Sequence, residues 1–182
     1  MKRAIVTPAV LAPSALAELK QWLGISTTYD DAPLASLLRS GLETCEAFTG
    51  TLPLAAECEE VLPASGEWQC LATRPVQAIT GAEAILTSGA RLALAASAYD
   101  VELDANGTGR VRLRDTGGAS RIAVRFSAGL AAAWDQLPEA LRHGVLRLAA
   151  HQHRERDTAG AAPLPPAAVA ALWRPWRRMR LA

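Results

Sequence analysis

Residues 121–142 read RIAVRFSAGLAAAWDQLPEALR, and the change of pattern inside this stretch decides the fold. From Arg121 to Phe126 polar and apolar side chains alternate, as they do along a strand with one buried face. Leu137-Pro138 then opens a different pattern. Proline suits a helix's first turn, and Leu141, Val145, Leu148 and Gln152 recur along one stripe at helical spacing. A strand therefore gives way to a helix spanning 138–157, so both kinds of element meet in one small chain.

Working back from Arg121, short β-prone runs alternate with Gly, Pro, Asn and Asp across 57–128. The predicted strands are Glu59 to Leu62, Trp68 to Leu71, Val76 to Leu86, Arg91 to Leu94, Tyr99 to Leu103, Arg110 to Arg114 and Arg121 to Phe126. Asn106-Gly107-Thr108-Gly109 forms a turn between two of them, because Asn and Gly tolerate positive φ. The arginines at 110, 112, 114, 121 and 125 then fall on an exposed face. Further back, the period is helical. Leu34, Leu37, Leu38, Leu42, Cys45 and Phe48 define a helix over 32–49 that stops at Thr49-Gly50, its other face carrying Ser36, Arg39, Glu43 and Glu46. Ser14 is the expected N-cap of a shorter helix over 14–23, with Gly24 as its stop. Towards the C-terminus, Asp157 to Gly160 and Pro163-Leu164-Pro165-Pro166 read as a linker, followed by a helix from Ala167 to Trp173.

These elements predict an α+β fold: a small helical bundle, two helices N-terminal and one C-terminal, with a β-rich insertion and an extended C-terminal tail. One domain is expected over 1–162, with 163–182 as linker, short helix and tail. The length of 182 residues fits one domain with a real core. Formal net charge is +1, which argues against a surface devoted wholly to nucleic acid. From Leu137 onward, however, arginines at 142, 147, 154, 156, 174, 177, 178 and 180 face only Glu139, Glu155 and Asp157. Any electrostatic partner would meet that end first.

Cys45, Cys58 and Cys70 are odd in number and lack ligand spacing, so neither a disulfide framework nor a zinc site is indicated. The start superficially imitates a signal peptide, but Pro8 and Pro13 interrupt it, and cleavage after Ala17 would cut a predicted helix. No apolar run approaches the ~20 residues of a membrane span, which predicts a soluble protein without membrane contact.

Catalytic signals are weak. His151 and His153 are two residues apart, on different sides of a helix, whereas a helical metal pair needs i,i+4 spacing. Asp100, Glu102 and Asp104 share one strand face and could face a cation, but the loop lacks the remaining oxygen ligands of a calcium motif, and an exposed strand face explains them. The glycine turns have no phosphate-binding form, and no nucleophile elbow occurs. No catalytic residue, metal site or cofactor is expected.

The informative segment is the C-terminus. Trp173, Arg174, Trp176, Arg177, Arg178, Met179, Arg180 and Leu181 combine apolar area with guanidinium forks, residue types enriched at interface centres. Such a tail can plug into a partner protein, contact nucleic acid or a membrane surface, or fold its tryptophans back onto the chain's own core.

In order, these segments resemble the head-tail connector proteins (adaptor or head-completion proteins) of long-tailed bacteriophages and gene transfer agents. The resemblance covers nearly the whole chain. It rests on Lys20 and Trp22-Leu23-Gly24-Ile25, Asp30-Asp31 before Leu34, Glu46-Ala47-Phe48-Thr49-Gly50, and Arg74-Pro75-Val76-Gln77-Ala78-Ile79. Tyr99-Asp100-Val101, Val124 to Gly129 with Leu137 to Arg142, Arg154-Glu155-Arg156 and Leu164-Pro165-Pro166-Ala167 continue it. His151-Gln152-His153 departs from the aromatic-rich helix expected there.

The resemblance implies a non-enzymatic subunit in a virion or gene transfer agent particle, assembled in the bacterial host cytoplasm. It implies a twelve-fold homo-oligomeric ring under the portal protein that extends the DNA channel and receives a tail-side connector, stopper or tail terminator. On that reading the tail docks into the portal. Arg110, Arg112, Arg114, Arg121 and Arg125 would then face DNA without sequence readout, since phosphate contacts carry no sequence information. The alternative is a basic-tailed nucleic-acid-binding module, and an orphan hydrolase ranks third.

Overall fold

The structure, a computed structural model, describes residues 3–155 and 165–177. Its elements are mixed α and β, in agreement with the α+β reading. The chain divides into two compact units: Met1–Ala9 with Ala55–Leu130, and Val10–Leu54 with Ala131–Ala182.

The first unit is built of two antiparallel sheets. Strands β1 (Arg3–Thr7), β2 (Ala56–Pro63), β4 (Val76–Leu86), β5 (Arg91–Ala93) and β8 (Ala119–Ala128) form one sheet in the order β1-β2-β8-β4-β5. Strands β3 (Gln69–Cys70), β6 (Tyr99–Leu103) and β7 (Gly109–Leu113) form the other, in the order β3-β7-β6. Alternation places Ile122, Val124, Phe126 and Ala128 of β8 in the core, opposite Leu62, Glu60, Cys58 and Ala56 of β2. Leu71, Val76, Val111 and Leu113 complete this apolar layer.

Glu60 is the exception on that face, only 1% exposed. Its carboxylate accepts hydrogen bonds from the backbone N–H of Ala72 and Thr73, at 2.8 Å each, and from the Thr73 hydroxyl at 2.6 Å. A carboxylate so bonded can be buried because its lone pairs are used. It fixes the loop that leads to the cis Arg74–Pro75 bond and the start of β4.

The hairpin between β6 and β7 closes through Asp104, whose side chain accepts from the N–H groups of Asn106 and Thr108. Gly107 has φ +72°, and a Cβ there would lie 2.4 Å from Pro75 Cβ, so glycine is required on both counts.

The second unit is helical: α1 (Pro13–Leu23), α2 (Asp31–Thr49), α3 (Glu139–Glu155) and α4 (Ala167–Trp173). Gly24 and Gly50 end the first two in the left-handed conformation, as expected. Ser14 does not cap α1. Pro13 already occupies its first turn, where a fixed φ and a missing N–H cost nothing, and the Ser14 hydroxyl instead donates to Asp135 at 3.1 Å. Leu34, Leu38, Gly41 and Cys45 of α2 are buried along one stripe, and Leu141, Val145 and Leu148 of α3 along another. The two helices pack closely at Gly41, where a Cβ would come 3.1 Å from Val145 Cγ1.

Strand β1 is absent from the sequence reading, and the predicted residues 156 and 157 of the third helix lie outside the described residues. Among the described residues no helix is long and apolar enough to cross a membrane.

Candidate docking and DNA-facing surfaces

The tail residues expected to dock separate into two kinds. Trp173 is fully buried within the helical unit. Its indole N–H donates to the Leu141 carbonyl at 3.3 Å, and its ring lies 6.0 Å from that of Phe48. Trp173 is therefore corrected from docking anchor to core residue: α4 is short, and burying this indole holds it against α3. Trp176 is half-buried, while Arg174 and Arg177 are exposed. The Arg177 guanidinium covers Phe48 at 5.4 Å from the ring centroid. Residues 174–176 form a 3-10 turn rather than an extended tail. Arg178, Met179, Arg180 and Leu181 lie outside the described residues.

The arginines expected to face DNA fall on two sheets, and most are neutralised. On β7, Arg112 and Arg110 sit directly across from Asp100 and Glu102 of β6. Arg112 reaches Asp100 at 3.0 Å, Arg114 reaches Asp100 at 2.7 Å, and Arg110 reaches Glu102 at 3.5 Å. The acidic row on β6 is thus one side of an ion-pair ladder. The Arg114 hydrogen bond, aided by Arg112, holds the Asp100 carboxyl below its ordinary value. Trp68 extends the row, with the Arg112 guanidinium 4.7 Å from its ring centroid.

On the larger sheet, Arg125 and Arg91 both contact Glu59, at 3.2 and 2.9 Å, and both reach Glu83. Arg121 is exposed and, among the described residues, has no carboxylate within ion-pair distance.

His151 pairs with Glu155 at 2.9 Å one turn along α3, and His143 meets the edge of Trp22 with ring centroids 5.7 Å apart. Among the described residues no cluster of His, Cys, Asp or Glu could hold a metal ion. The sequence reading missed the surface around Trp22. This side chain is 41% exposed and lies under the Arg147 guanidinium, 5.8 Å from the ring centroid.

No protein-family model matches the chain, and no curated protein does. Solved structures do match. The neck of an empty gene transfer agent particle, computed with C6 symmetry, contains a chain similar at TM-score 0.80 and 27% identity, covering 100% of this chain and 98% of that one. A chain in the virion of a native gene transfer agent particle matches at TM-score 0.78 and 26% identity, with the same coverage. A third, in the neck of a native particle computed with C12 symmetry, matches at TM-score 0.76 and 29% identity, again over 100% and 98%. This full-length agreement with neck and virion chains bears out the resemblance to the head-tail connectors of gene transfer agents.

Proposed function

We propose that the chain is a structural neck subunit that forms a ring beneath the portal, extends the DNA channel and joins head to tail. The observation that carries this reading is the likeness over the whole chain, and over 98% of the matched chains, to necks with cyclic symmetry. The role is mechanical, and no step of it requires turnover.

In this reading Trp173 fixes α4 to the core, while Arg174, Trp176, Arg177 and the residues after them dock to the portal. DNA passes over faces whose arginines at 110, 112, 114 and 125 are already compensated by carboxylates. Contact there would be weak and indifferent to sequence, which suits passage rather than retention. The opposite face of the ring receives the tail-side connector.

The test is co-sedimentation with the portal ring of the same particle, comparing the full chain with one ending after Trp176. That end point spares Trp173, so the shortened chain keeps its core. Saturation near one copy per portal subunit, weakened by the truncation, is expected. A folded chain that ignores the portal but binds duplex DNA with steep salt dependence would overturn the reading in favour of a nucleic-acid module.

A further inference from the structure

The ring contact is open to a residue-level assignment, which rests on the ring reading above. A closed ring is built from heterologous contacts, so each subunit must present two unlike surfaces that fit each other. The helical unit carries such a pair. On α3, His143 and Arg147 are exposed, each two residues from Val145, which packs on α2 at Gly41. Two residues are about 200° on a helix, so both side chains leave α3 on the side away from α2. There they meet Trp22 of α1, an exposed indole with a guanidinium over it.

On α2, Glu43 is exposed and lies two residues from both Gly41 and Cys45, which are buried. By the same rotation it leaves α2 on the side away from α3. A basic aromatic surface and an acid thus occupy opposite sides of one helical pair.

Among the described residues no carboxylate lies within ion-pair distance of Arg147, and no cation within that distance of Glu43. Arg142, the residue before His143, is already occupied by Glu18 at 3.7 Å. Around Glu43, Ser36, Ser40 and Ala47 are short, leaving room for an indole to lie against the helix. Arg39 lies one turn before Glu43 on that exposed stripe, and the half-buried Glu46 one turn after it.

We propose that Trp22, His143 and Arg147 of one copy grip the outer face of α2 in the next copy, Arg147 pairing with Glu43 of that neighbour. Tryptophan and arginine are the side chains that most often dominate interfaces, and opposite placement of the two surfaces makes the contact head-to-tail.

The test uses charge reversal in assembled particles, read as copies of the chain per neck, with circular dichroism of each purified variant as the check on folding. Arg147→Glu and Glu43→Arg should each lower occupancy about tenfold, and the double reversal should restore it to within about twofold. Trp22→Ala should also lower it. Wild-type occupancy in both single reversals overturns the contact and leaves the ring reading standing. Loss in the singles without rescue in the double assigns the patch to a different partner, and also overturns it. Absence of the wild-type chain from necks instead defeats the ring reading itself.

Discussion

The indole of Trp173 fills the space that a side chain at Gly144 would need: a Cβ built there lies 2.0 Å from Trp173 Nε1. The pair locks α4 onto α3, with the Trp173 N–H donating to the Leu141 carbonyl one turn earlier. Gly144→Ala should therefore expel the ring although alanine is the better helix former, and Trp173→Ala should cost about 3–5 kcal/mol. Urea unfolding of both variants checks this. A Gly144→Ala protein as stable as the parent would refute the packing.

Glu60 and Gly107 hold neighbouring loops of the β unit by different means. Glu60→Ala leaves the Ala72 and Thr73 N–H groups and the Thr73 hydroxyl without their acceptor, at about 1–3 kcal/mol for each buried donor that finds no other. Gly107→Ala must change both φ and the position of Pro75. Thermal unfolding should show both well below the parent, with Glu60→Gln between parent and alanine variant.

The thiols should differ in reactivity. Burial pushes the Cys45 thiol from 9.0 to about 12, Glu46 adding to the effect, whereas Cys70 is exposed. A thiol reagent at pH 8 should label Cys70 in the folded chain and reach Cys45 only on unfolding, because the thiolate is the reacting species. The shift has a sign for stability as well. The folded state keeps the Cys45 proton where the unfolded state loses it, so the thiol's stabilising contribution is complete below about pH 9 and falls away towards pH 12. Cys45→Ala should flatten that alkaline dependence.

At the acid end the ion-pair ladder sets the direction. Asp100 is held below its ordinary 3.8, chiefly by Arg114, so its contribution is present above that value and lost as pH falls through the lower folded one. Asp100→Asn should remove part of the acid sensitivity of the β unit in pH-dependent unfolding, while leaving stability at pH 9 to 12 to Cys45.

Much of this architecture was legible because the period of the sequence changes where the structure does. Val76 to Leu86, Tyr99 to Leu103 and Ala167 to Trp173 agree with the elements residue for residue, since each is bounded by turn residues or proline. Residues 3–7 carry no strand signal: all but Arg3 are exposed, so they show no alternation, and only pairing with β2 defines them.

The charged sites depended on register. Asn106 and its glycines mark the turn at 106–109, and counting outward from it pairs Glu102 with Arg110 and Asp100 with Arg112, so neutralisation of those arginines is within reach of the sequence. Partners such as Glu59 and Arg125 are brought together only by the order of strands in the sheet. Trp173 carried a signal in Gly144, a glycine in mid-helix that marks a close approach, but only the fold shows which side chain approaches.

The most direct test of the central claim is a reconstruction of the neck in particles assembled with this chain. The expected result is a closed ring of this chain's subunits adjoining the portal, with the residues after Trp176 directed at the portal. Particles in which the ring position is filled by another protein, with this chain elsewhere or absent, would contradict it.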